Sequence, residues 1–372
     1  MQINNIKIKN FRNHIDKELA FTDGINVIWG DNGVGKTTIL EAISVCSISK
    51  SFTTNADAIL INENERHYYI SANCTNDLNL PYKINISFTS KQPKEISSNI
   101  GNRLLPKDII GEIPLIVLSP DHKKITSGSP DFRRQFINSV LSQANKNYLE
   151  KLFELRKILK QRNSLLSHFK GILNANNENL LPILQQWTHL LINVSADLII
   201  RRNEFITDFS PLFIKAYSII SGSKENVSIA YQPDAINEEI IDKSQITELL
   251  TQRSNAMLNA EIKRSTTLFG AQKDDVKITI NNGTAKEYAS QGQHKSLLIA
   301  IKFAEFQYLL EKKNETPIIL FDDIFSELDN IRIGKVLELL SQSNAQIFIT
   351  LTDPAIIKSA TTIPTNLIEI KR

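Results

Sequence analysis

The residues best suited to chemistry form two short segments near opposite ends of the chain. The first segment, GDNGVGKT, ends at Thr37 and fits the pattern G-x-x-x-x-G-K-[ST] of a phosphate-binding loop. Glycines let its backbone N–H groups approach phosphate oxygens, Lys36 supplies positive charge to the β- and γ-phosphates, and Thr37 offers its hydroxyl to Mg²⁺. The pattern therefore predicts nucleotide binding by Gly30, Asp31, Asn32, Gly33, Val34, Gly35, Lys36, Thr37 and Thr38.

The second segment is the acidic pair Asp322 and Asp323, which follows the apolar run IILF. A buried strand of this kind presents an acid at the carboxyl edge of a sheet, where the ligands of open α/β sheets collect. We expect Asp322 to hold Mg²⁺ with Thr37, mainly through the water shell of the metal. Asp323 points elsewhere because side chains alternate, so it is placed to orient or deprotonate the attacking water. Asp323 and Lys36 are the candidate catalytic residues; the alternative is a pair of solvated acids at a strand end.

A second turn, SQGQ, begins at Ser290 and directly precedes an apolar helical run. Ser290 is a candidate N-cap, and the N-terminus of the helix would attract anions. A plain capping turn explains the same residues. The order of the segments favours a functional interpretation, because the turn lies shortly before Asp322 and the residues SELD follow the two acids.

Short strands and helices must position these segments. Strand patterns precede the phosphate-binding loop and the acidic pair, and a helical pattern, ILEAISVCSI, follows the loop. The runs HYYISANC and YKINISFT indicate a hairpin, and IPLIVLS indicates a buried parallel strand. NVSIAYQ and VKITINNGT are further strand patterns, with a turn at Asn282–Gly283, and AQIFITLTD closes the sheet.

Helical patterns fill the middle of the chain. Ser129 and Pro130 form an N-cap and first-turn signal, and residues 147–170 and 182–206 keep helical spacing around a polar break. Two long helices joined by a polar turn predict an antiparallel hairpin. We therefore expect one α/β domain built from both ends of the chain, with boundaries at 1–122, 123–215 (the helical insertion) and 216–372.

Composition and charge restrict the class of protein. The 372 residues are too many for one small core, and 41% hydrophobic with 22% charged residues is ordinary for a globular protein. A net charge of +3 is too small to indicate a nucleic-acid partner, but residues 121–170 carry eleven Lys or Arg against four Asp or Glu. That local excess would attract a phosphate backbone, and a solvated helical face explains it as well.

Cysteine usage and hydropathy bear on the compartment. Cys46 and Cys74 lack metal-ligand spacing, which predicts ordinary reduced thiols. The amino-terminal residues lack the long apolar run of a signal peptide, and no stretch approaches the roughly 20 apolar residues of a membrane span. These features predict a soluble, cytoplasmic protein.

Taken together, the motifs resemble the SMC-like branch of the ABC ATPases and, within it, the RecF family of bacterial recombination mediators. The phosphate-binding loop, the SQGQ signature and the FDD…ELD segment are typical of ABC-type chemistry. The segments GSPDFRRQFI and QRNSLL are typical of the RecF family, as is IKNFRN near the start. The resemblance covers nearly the whole chain and implies an ABC-type, SMC-like P-loop ATPase head with a helical insertion lobe.

This resemblance implies a reason for two phosphate-contacting turns. In ABC ATPases the signature of one subunit contacts the nucleotide held by the other, so ATP would join two copies of this chain into a homodimer. The signature residues would then bind the nucleotide of the partner subunit and would stabilise its γ-phosphate. By this resemblance the residues concerned are Ser290, Gly292, Gln293 and, in the SELD turn, Asp329.

The resemblance also implies a function in DNA replication and repair. The protein would bind gapped DNA at junctions of single and double strands, with RecR as a partner and RecO in the same pathway, and would help to load RecA. A weak, DNA-stimulated ATPase would serve as the switch. Basic residues of the helical region are candidate DNA contacts, although Arg133 and Arg134 could instead pair with acids inside the fold. The candidates are Lys123, Lys124, Arg133, Arg134, Lys157, Lys160 and Arg162.

Several residues depart from the ABC pattern. Asp323 stands where transporter ATPases carry Glu, which predicts slow turnover, and Thr352 and Asp353 stand where a switch histidine is expected. No glutamine follows IPLIVLS, and Gln272 and Lys273 interrupt a GPHRDD-type segment. Two alternatives remain open: an ABC-type ATPase subunit that energises another machine, such as a membrane transporter, and a small-molecule kinase.

Overall fold

The computed structural model describes residues 1–171, 177–222, 225–234, 236, 242–325, 330–341, 343–355, 357 and 364–371. The strands are β1 (Gln2–Phe11), β2 (His14–Ala20), β3 (Ile25–Trp29), β4 (His67–Thr75), β5 (Pro81–Thr89), β6 (Glu95–Ser98), β7 (Leu115–Leu118), β8 (Val227–Gln232), β9 (Asp275–Ile280), β10 (Gly283–Thr284), β11 (Ile318–Asp322), β12 (Ile347–Leu351) and β13 (Thr365–Glu369). The helices are α1 (Lys36–Ile48), α2 (Lys124–Ser127), α3 (Pro130–Ala144), α4 (Lys146–Gly171), α5 (Asn177–Ser221), α6 (Lys243–Arg264), α7 (Ala285–Tyr288), α8 (Gln291–Lys313) and α9 (Asn330–Ser341).

The chain divides into two compact units. The first unit comprises residues 1–123, 215–224 and 291–372, and the second comprises residues 124–214 and 225–290. The predicted domain boundaries at residues 122 and 215 stay a prediction. By their contacts, residues 225–290 group with the helices, because ion pairs such as Arg162–Glu261 and Arg202–Asp274 join the two stretches.

A parallel sheet in the first unit has the strand order β13-β3-β12-β11-β7. Strands β7, β11 and β12 are buried along their whole length, as expected for apolar strands covered on both faces. The prediction that AQIFITLTD closes this sheet is wrong, because β12 lies at its centre between β3 and β11. The edge strands are β7 and β13, and the mixed polar and apolar residues of β13, TNLIE, give no buried-strand signal.

An antiparallel sheet in the same unit has the order β2-β1-β4-β5-β6. The predicted hairpin of β4 and β5 is confirmed, with Ile70 opposite Ile86. Alternate residues of β1, including Ile6 and Ile8, are fully buried and belong to one hydrophobic core with α1. This core fixes α1, and with it the loop that precedes α1.

Two long helices dominate the second unit, and the predicted antiparallel hairpin is confirmed. Arg162 of α4 contacts Thr188 of α5, whereas the earlier Tyr148 of α4 contacts the later Arg202 of α5. Helix α5 continues beyond the predicted end at residue 206 to Ser221. The polar break between the helices includes residues 172–176, which lie outside the described residues.

A small sheet of order β10-β9-β8 also belongs to the second unit. Its tight turn consists of Asn281 and Asn282, with φ of 46° and 70°, one residue earlier than predicted from Asn282–Gly283. Asparagine tolerates this left-handed conformation, so Gly283 is free to pair in the strand.

None of the helices in the described part of the chain is long and apolar enough to cross a membrane.

Candidate nucleotide site

The phosphate-binding loop connects β3 to α1 and depends on glycine. Gly35 has a φ of 98°, and a Cβ built on it would lie 2.6 Å from the amide of Asn13 and 2.7 Å from the imidazole of His14. Any larger residue would therefore clash as well as adopt a strained backbone. The loop is thus held closely against the turn between β1 and β2.

Lys36, the first residue of α1, reaches back across this loop. Its Nζ donates hydrogen bonds to the carbonyl oxygens of Gly30 at 2.7 Å and Asp31 at 2.8 Å. Burial lowers the pKa of Lys36, whereas the negative charge of Asp323 acts in the opposite direction. The ammonium group therefore lies over the loop, where it can meet a bound phosphate.

Thr37 and Asp322 are 285 residues apart in the chain, yet the Thr37 hydroxyl donates to Asp322 Oδ1 at 2.7 Å. The hydroxyl of Thr350 donates to the same oxygen at 2.9 Å. Asp322 is only 8% exposed, and burial raises its pKa while these two hydrogen bonds lower it. The sheet order brings Thr37, Thr350 and Asp322 together. Strand β3 leads into the phosphate-binding loop, β11 ends in Asp322, and β12, which carries Thr350, lies between them.

These residues suit Mg²⁺. A threonine hydroxyl and a carboxylate are hard oxygen donors, and Mg²⁺ typically takes few protein ligands beside phosphate oxygens and water. Among the described residues there is no group of three or more His, Cys, Asp or Glu side chains able to hold a metal. Thr37 and Asp322 supply oxygen donors of the kind that could hold a nucleotide-bound Mg²⁺.

Asp323 leaves the line of β11. Its φ is 51°, and its backbone N–H donates to the hydroxyl of Thr350 at 2.9 Å. The exposed side chain lines a cavity of about 360 Å³ that also contains the phosphate-binding loop. The residues that line this cavity are Arg12, Asn13, Asn32, Gly33, Gly35, Lys36, Thr37, Thr38, Asp323 and Thr350.

The turn between β1 and β2 supplies site residues that chemical reasoning from the sequence missed. Asn13 accepts a hydrogen bond from the Thr38 hydroxyl at 3.2 Å, and His14 Nε2 lies 3.1 Å from the carbonyl oxygen of Gly35. Burial lowers the pKa of His14, and because a carbonyl oxygen can only accept, the Nε2–H group of the ring is the donor. The segment IKNFRN was the available signal, but its residues carry no spacing that identifies their chemistry.

Arg12 forms one wall of the cavity and is held there by Glu41. The Glu41 carboxylate, 1% exposed, lies 2.6 Å from both Nε and Nη2 of Arg12 and accepts a hydrogen bond from Ser51 at 2.6 Å. A buried carboxylate with these donors fixes the guanidinium in one orientation. Arg12 is therefore a positively charged and ordered part of the wall.

The signature turn is placed at the start of α8. Ser290 directly precedes this helix, and Gly292 and Gln293 are in its first turn. The cavity-lining residues given above do not include these three. Asp329 lies outside the described residues.

The structure separates the candidate DNA contacts into two groups. Arg162 is 1% exposed and forms a buried ion pair with Glu261 at 2.6 Å, and Arg133 pairs with Asp275 at 2.8 Å. Arg134 pairs with Asp131 and also donates to the carbonyl oxygen of Asp274. Internal pairing is thus observed for all three arginines, and we remove them from the candidate phosphate contacts. The exposed candidates are Lys123, Lys124, Lys157 and Lys160.

Comparison with known proteins gives matches over almost the whole chain. The model of the RecF/RecN/SMC N terminal domain family matches residues 2–370. The DNA replication and repair protein RecF of Chloroherpeton thalassium is 34% identical over 355 residues, which is 95% of each chain. The RecF of Prosthecochloris aestuarii is 36% identical over 343 residues, covering 92% of this chain and 91% of the relative.

Solved structures agree with these matches. The structure of the recombination mediator protein RecF with ATP, from the RecFOR pathway, superposes with a TM-score of 0.87 at 30% identity, covering 95% of this chain and 92% of that one. An Smc head bound to the C-winged helix domain of ScpA has a TM-score of 0.55 at 15% identity and shows the fold alone. The predicted ABC-type, SMC-like ATPase head, built from both chain ends with a helical insertion, is confirmed.

Proposed function

This chain belongs to the RecF family, and from that membership and its nucleotide site we propose that it is an ATP-dependent DNA-binding protein of DNA replication and recombinational repair. The observation that carries the proposal is the hydrogen bond between Thr37 and Asp322, next to a cavity wall formed by Lys36 and Asp323. These four residues, brought together over such a sequence distance, would suit a nucleoside triphosphate with its metal.

The same residues support slow ATP hydrolysis. Mg²⁺, held by Thr37 and Asp322, would neutralise charge on the phosphate oxygens. Lys36 would stabilise the charge that develops as the bond from the γ-phosphorus to the β–γ bridging oxygen breaks. Asp323 would orient the attacking water and accept its proton, and its short side chain is consistent with a weak ATPase that serves as a switch.

A second part of the proposal is ATP-dependent dimerisation. Ser290, Gly292 and Gln293 at the start of α8, together with Asp329, would complete the nucleotide site of a second copy. The N-terminus of a helix as long as α8 carries partial positive charge that suits a γ-phosphate. Nucleotide binding and dimerisation would then be linked equilibria.

The proposed DNA substrate is gapped DNA at a junction of single and double strands, with RecR as partner and RecO and RecA in the same pathway. The relatives are named for DNA replication and repair and for the RecFOR pathway, which supports a DNA substrate and these pathway partners, and the exposed face of α4 supports contact with DNA. Lys157 and Lys160 are exposed there, and Arg156 lies 5.8 Å from the ring of Phe153. Exposed cations beside an aromatic ring suit both phosphates and unpaired bases.

Light scattering tests the proposal directly. We expect the wild-type chain to double its mass with ATP and Mg²⁺ and to bind gapped DNA more tightly in that state. Ser290→Arg should prevent dimerisation while ATP still binds, and Asp323→Asn should keep the dimer but stop hydrolysis. Monomers that bind duplex DNA equally with and without ATP would contradict the proposal.

A further inference from the structure

Thr350 is the one polar residue in the buried strand β12, IFITL, and it lies at the cavity. We propose that Thr350 is a positioning residue that sets both acids of the nucleotide site, Asp322 and Asp323. The inference rests on the proposed ATP-binding function and deepens it, because it assigns a role to a residue outside the phosphate-binding loop and the acidic pair.

The hydroxyl of Thr350 has two close partners, and a third, the carbonyl oxygen of Phe321, lies farther away at 3.4 Å. It donates its hydrogen to Asp322 Oδ1 at 2.9 Å and accepts the backbone N–H of Asp323 at 2.9 Å. A hydroxyl has one hydrogen and two lone pairs, so both bonds can form together. Thr350 is 1% exposed, so water cannot easily take its place.

The first bond selects which oxygen of Asp322 faces a ligand. Oδ1 accepts hydrogen bonds from both Thr37 and Thr350. Within the described residues, Oδ2 receives no hydrogen bond, which leaves it for the metal or its water. Thr37 donates its proton to Oδ1 and keeps its oxygen lone pairs for Mg²⁺. The two threonines together orient the carboxylate before the ligand arrives.

The second bond fixes the backbone at Asp323. A φ of 51° is uncommon for a residue other than glycine and persists only where neighbouring groups hold it. The bond from its N–H to Thr350 is one such restraint. This turn of the chain directs the Asp323 carboxylate to the cavity wall instead of continuing the alternation of β11. One hydroxyl therefore couples the metal-holding acid to the candidate general base.

The test compares Thr350→Val, which removes the hydroxyl at nearly constant volume, with Thr350→Ser, which keeps it. Binding of a fluorescent ATP analogue to the full chain is measured with Mg²⁺ and with EDTA. We expect Mg²⁺ to increase the affinity of the wild type for the analogue. In Thr350→Val this increase should be about tenfold smaller, whereas the affinity in EDTA should stay within about twofold of the wild-type value. Thr350→Ser should restore the gain.

A matched control is Thr365→Val in β13, which removes a hydroxyl from the same sheet at the end away from the cavity and should leave both affinities unchanged. A merely structural role predicts equal losses with Mg²⁺ and with EDTA, and that result would overturn the inference, as would an unchanged gain in Thr350→Val. If Thr350→Val does not fold, Thr350→Ala is measured in the same way. A wild type that binds no nucleotide under either condition removes the proposed function, and the role of Thr350 with it.

Discussion

Charged side chains are used differently in the two compact units. In the first unit, Lys36 and Asp323 line an open cavity and keep faces that a ligand can reach. In the second unit, Arg162 and Glu261 are 1% and 0% exposed and bind each other. A basic residue in the sequence therefore does not by itself indicate a ligand, because the fold decides whether its side chain faces a cavity, as Lys36 and Arg12 do, or is buried against an acid, as Arg162 is.

The energetic reason is the cost of burying charge. A guanidinium removed from water is tolerated only when carboxylate and hydroxyl partners replace its hydration. Arg162 has such partners in Glu261, Thr267 and Thr188. Lys36 and Asp323 keep accessible surface at the cavity, which a nucleotide can cover.

The largest expected effect comes from breaking a buried pair. Arg162→Met should lower the free energy of unfolding by about 3–5 kcal/mol, because it leaves the buried carboxylate of Glu261 without its counter-ion. Urea unfolding of the full chain followed by circular dichroism measures the change. The control, Lys157→Met on the exposed face of the same helix, should shift stability by no more than about 0.5 kcal/mol. Equal effects of the two changes would contradict the comparison.

At the cavity, we expect a substitution to reduce ligand binding and to leave stability nearly unchanged. Lys36→Met should weaken ATP binding by about 100-fold or more, since it removes the positive charge beside the phosphates. Its unfolding free energy should change by no more than about 1 kcal/mol, because among the described residues Lys36 hydrogen-bonds to backbone carbonyl oxygens and its attraction to Asp323 acts at an open cavity. Titration with a fluorescent ATP analogue and urea unfolding measure the two quantities. Lys83→Met, exposed in β5, is the control, and wild-type affinity in Lys36→Met would refute the assignment.

A third comparison uses DNA. The double change Lys157→Gln with Lys160→Gln should weaken binding of gapped DNA by about tenfold and reduce the slope of log affinity against log salt concentration by about two. Fluorescence anisotropy over a range of salt concentrations measures both. The double change Lys83→Gln with Lys286→Gln removes two exposed cations elsewhere. If it has the same effect, α4 is not the DNA-contacting surface.

The smallest expected effect concerns pH. Burial and the positive charge of Lys302 lower the pKa of His122 well below its ordinary value of 6.5, and His122 Nδ1 accepts hydrogen bonds from Ser119. The unfolded chain therefore binds more protons below about pH 6.5, so the stability contributed by the neutral ring is present above that pH and is lost as pH falls. The loss is at most about 1.4 kcal/mol per pH unit.

The urea concentration at the midpoint of unfolding, measured at several values from about pH 7.5 to about pH 5.5, shows how stability changes with pH. The decline should be less steep in His122→Gln, which cannot be protonated. His168→Gln, an exposed histidine of α4, serves as the control and should keep the wild-type slope. An unchanged slope in His122→Gln would show that other groups cause the acid sensitivity.

Local patterns identified most strands and helices and the phosphate-binding loop. GDNGVGKT lies between β3 and α1 as predicted, and the buried strand IILFD ends in Asp322. Strand order was not predictable, since the local pattern of a strand such as AQIFITLTD is the same at the centre of a sheet as at its edge. Thr350, Arg12 and Asn13 were not predicted as site residues. Each lies at the cavity because of contacts with residues that are distant in the sequence, which local patterns do not show.

The sequence by itself determined the chemistry available to this protein: a glycine loop with Lys36 and Thr37, and an acidic pair after an apolar strand. Those features depend on residue type and short spacing, which any chain conformation preserves. Only the tertiary structure decided that β12 lies between the two segments, that Thr350 joins both acids, and that Arg162 is used internally. Such outcomes depend on the pairing and burial of residues far apart in the chain, which short-range patterns do not encode.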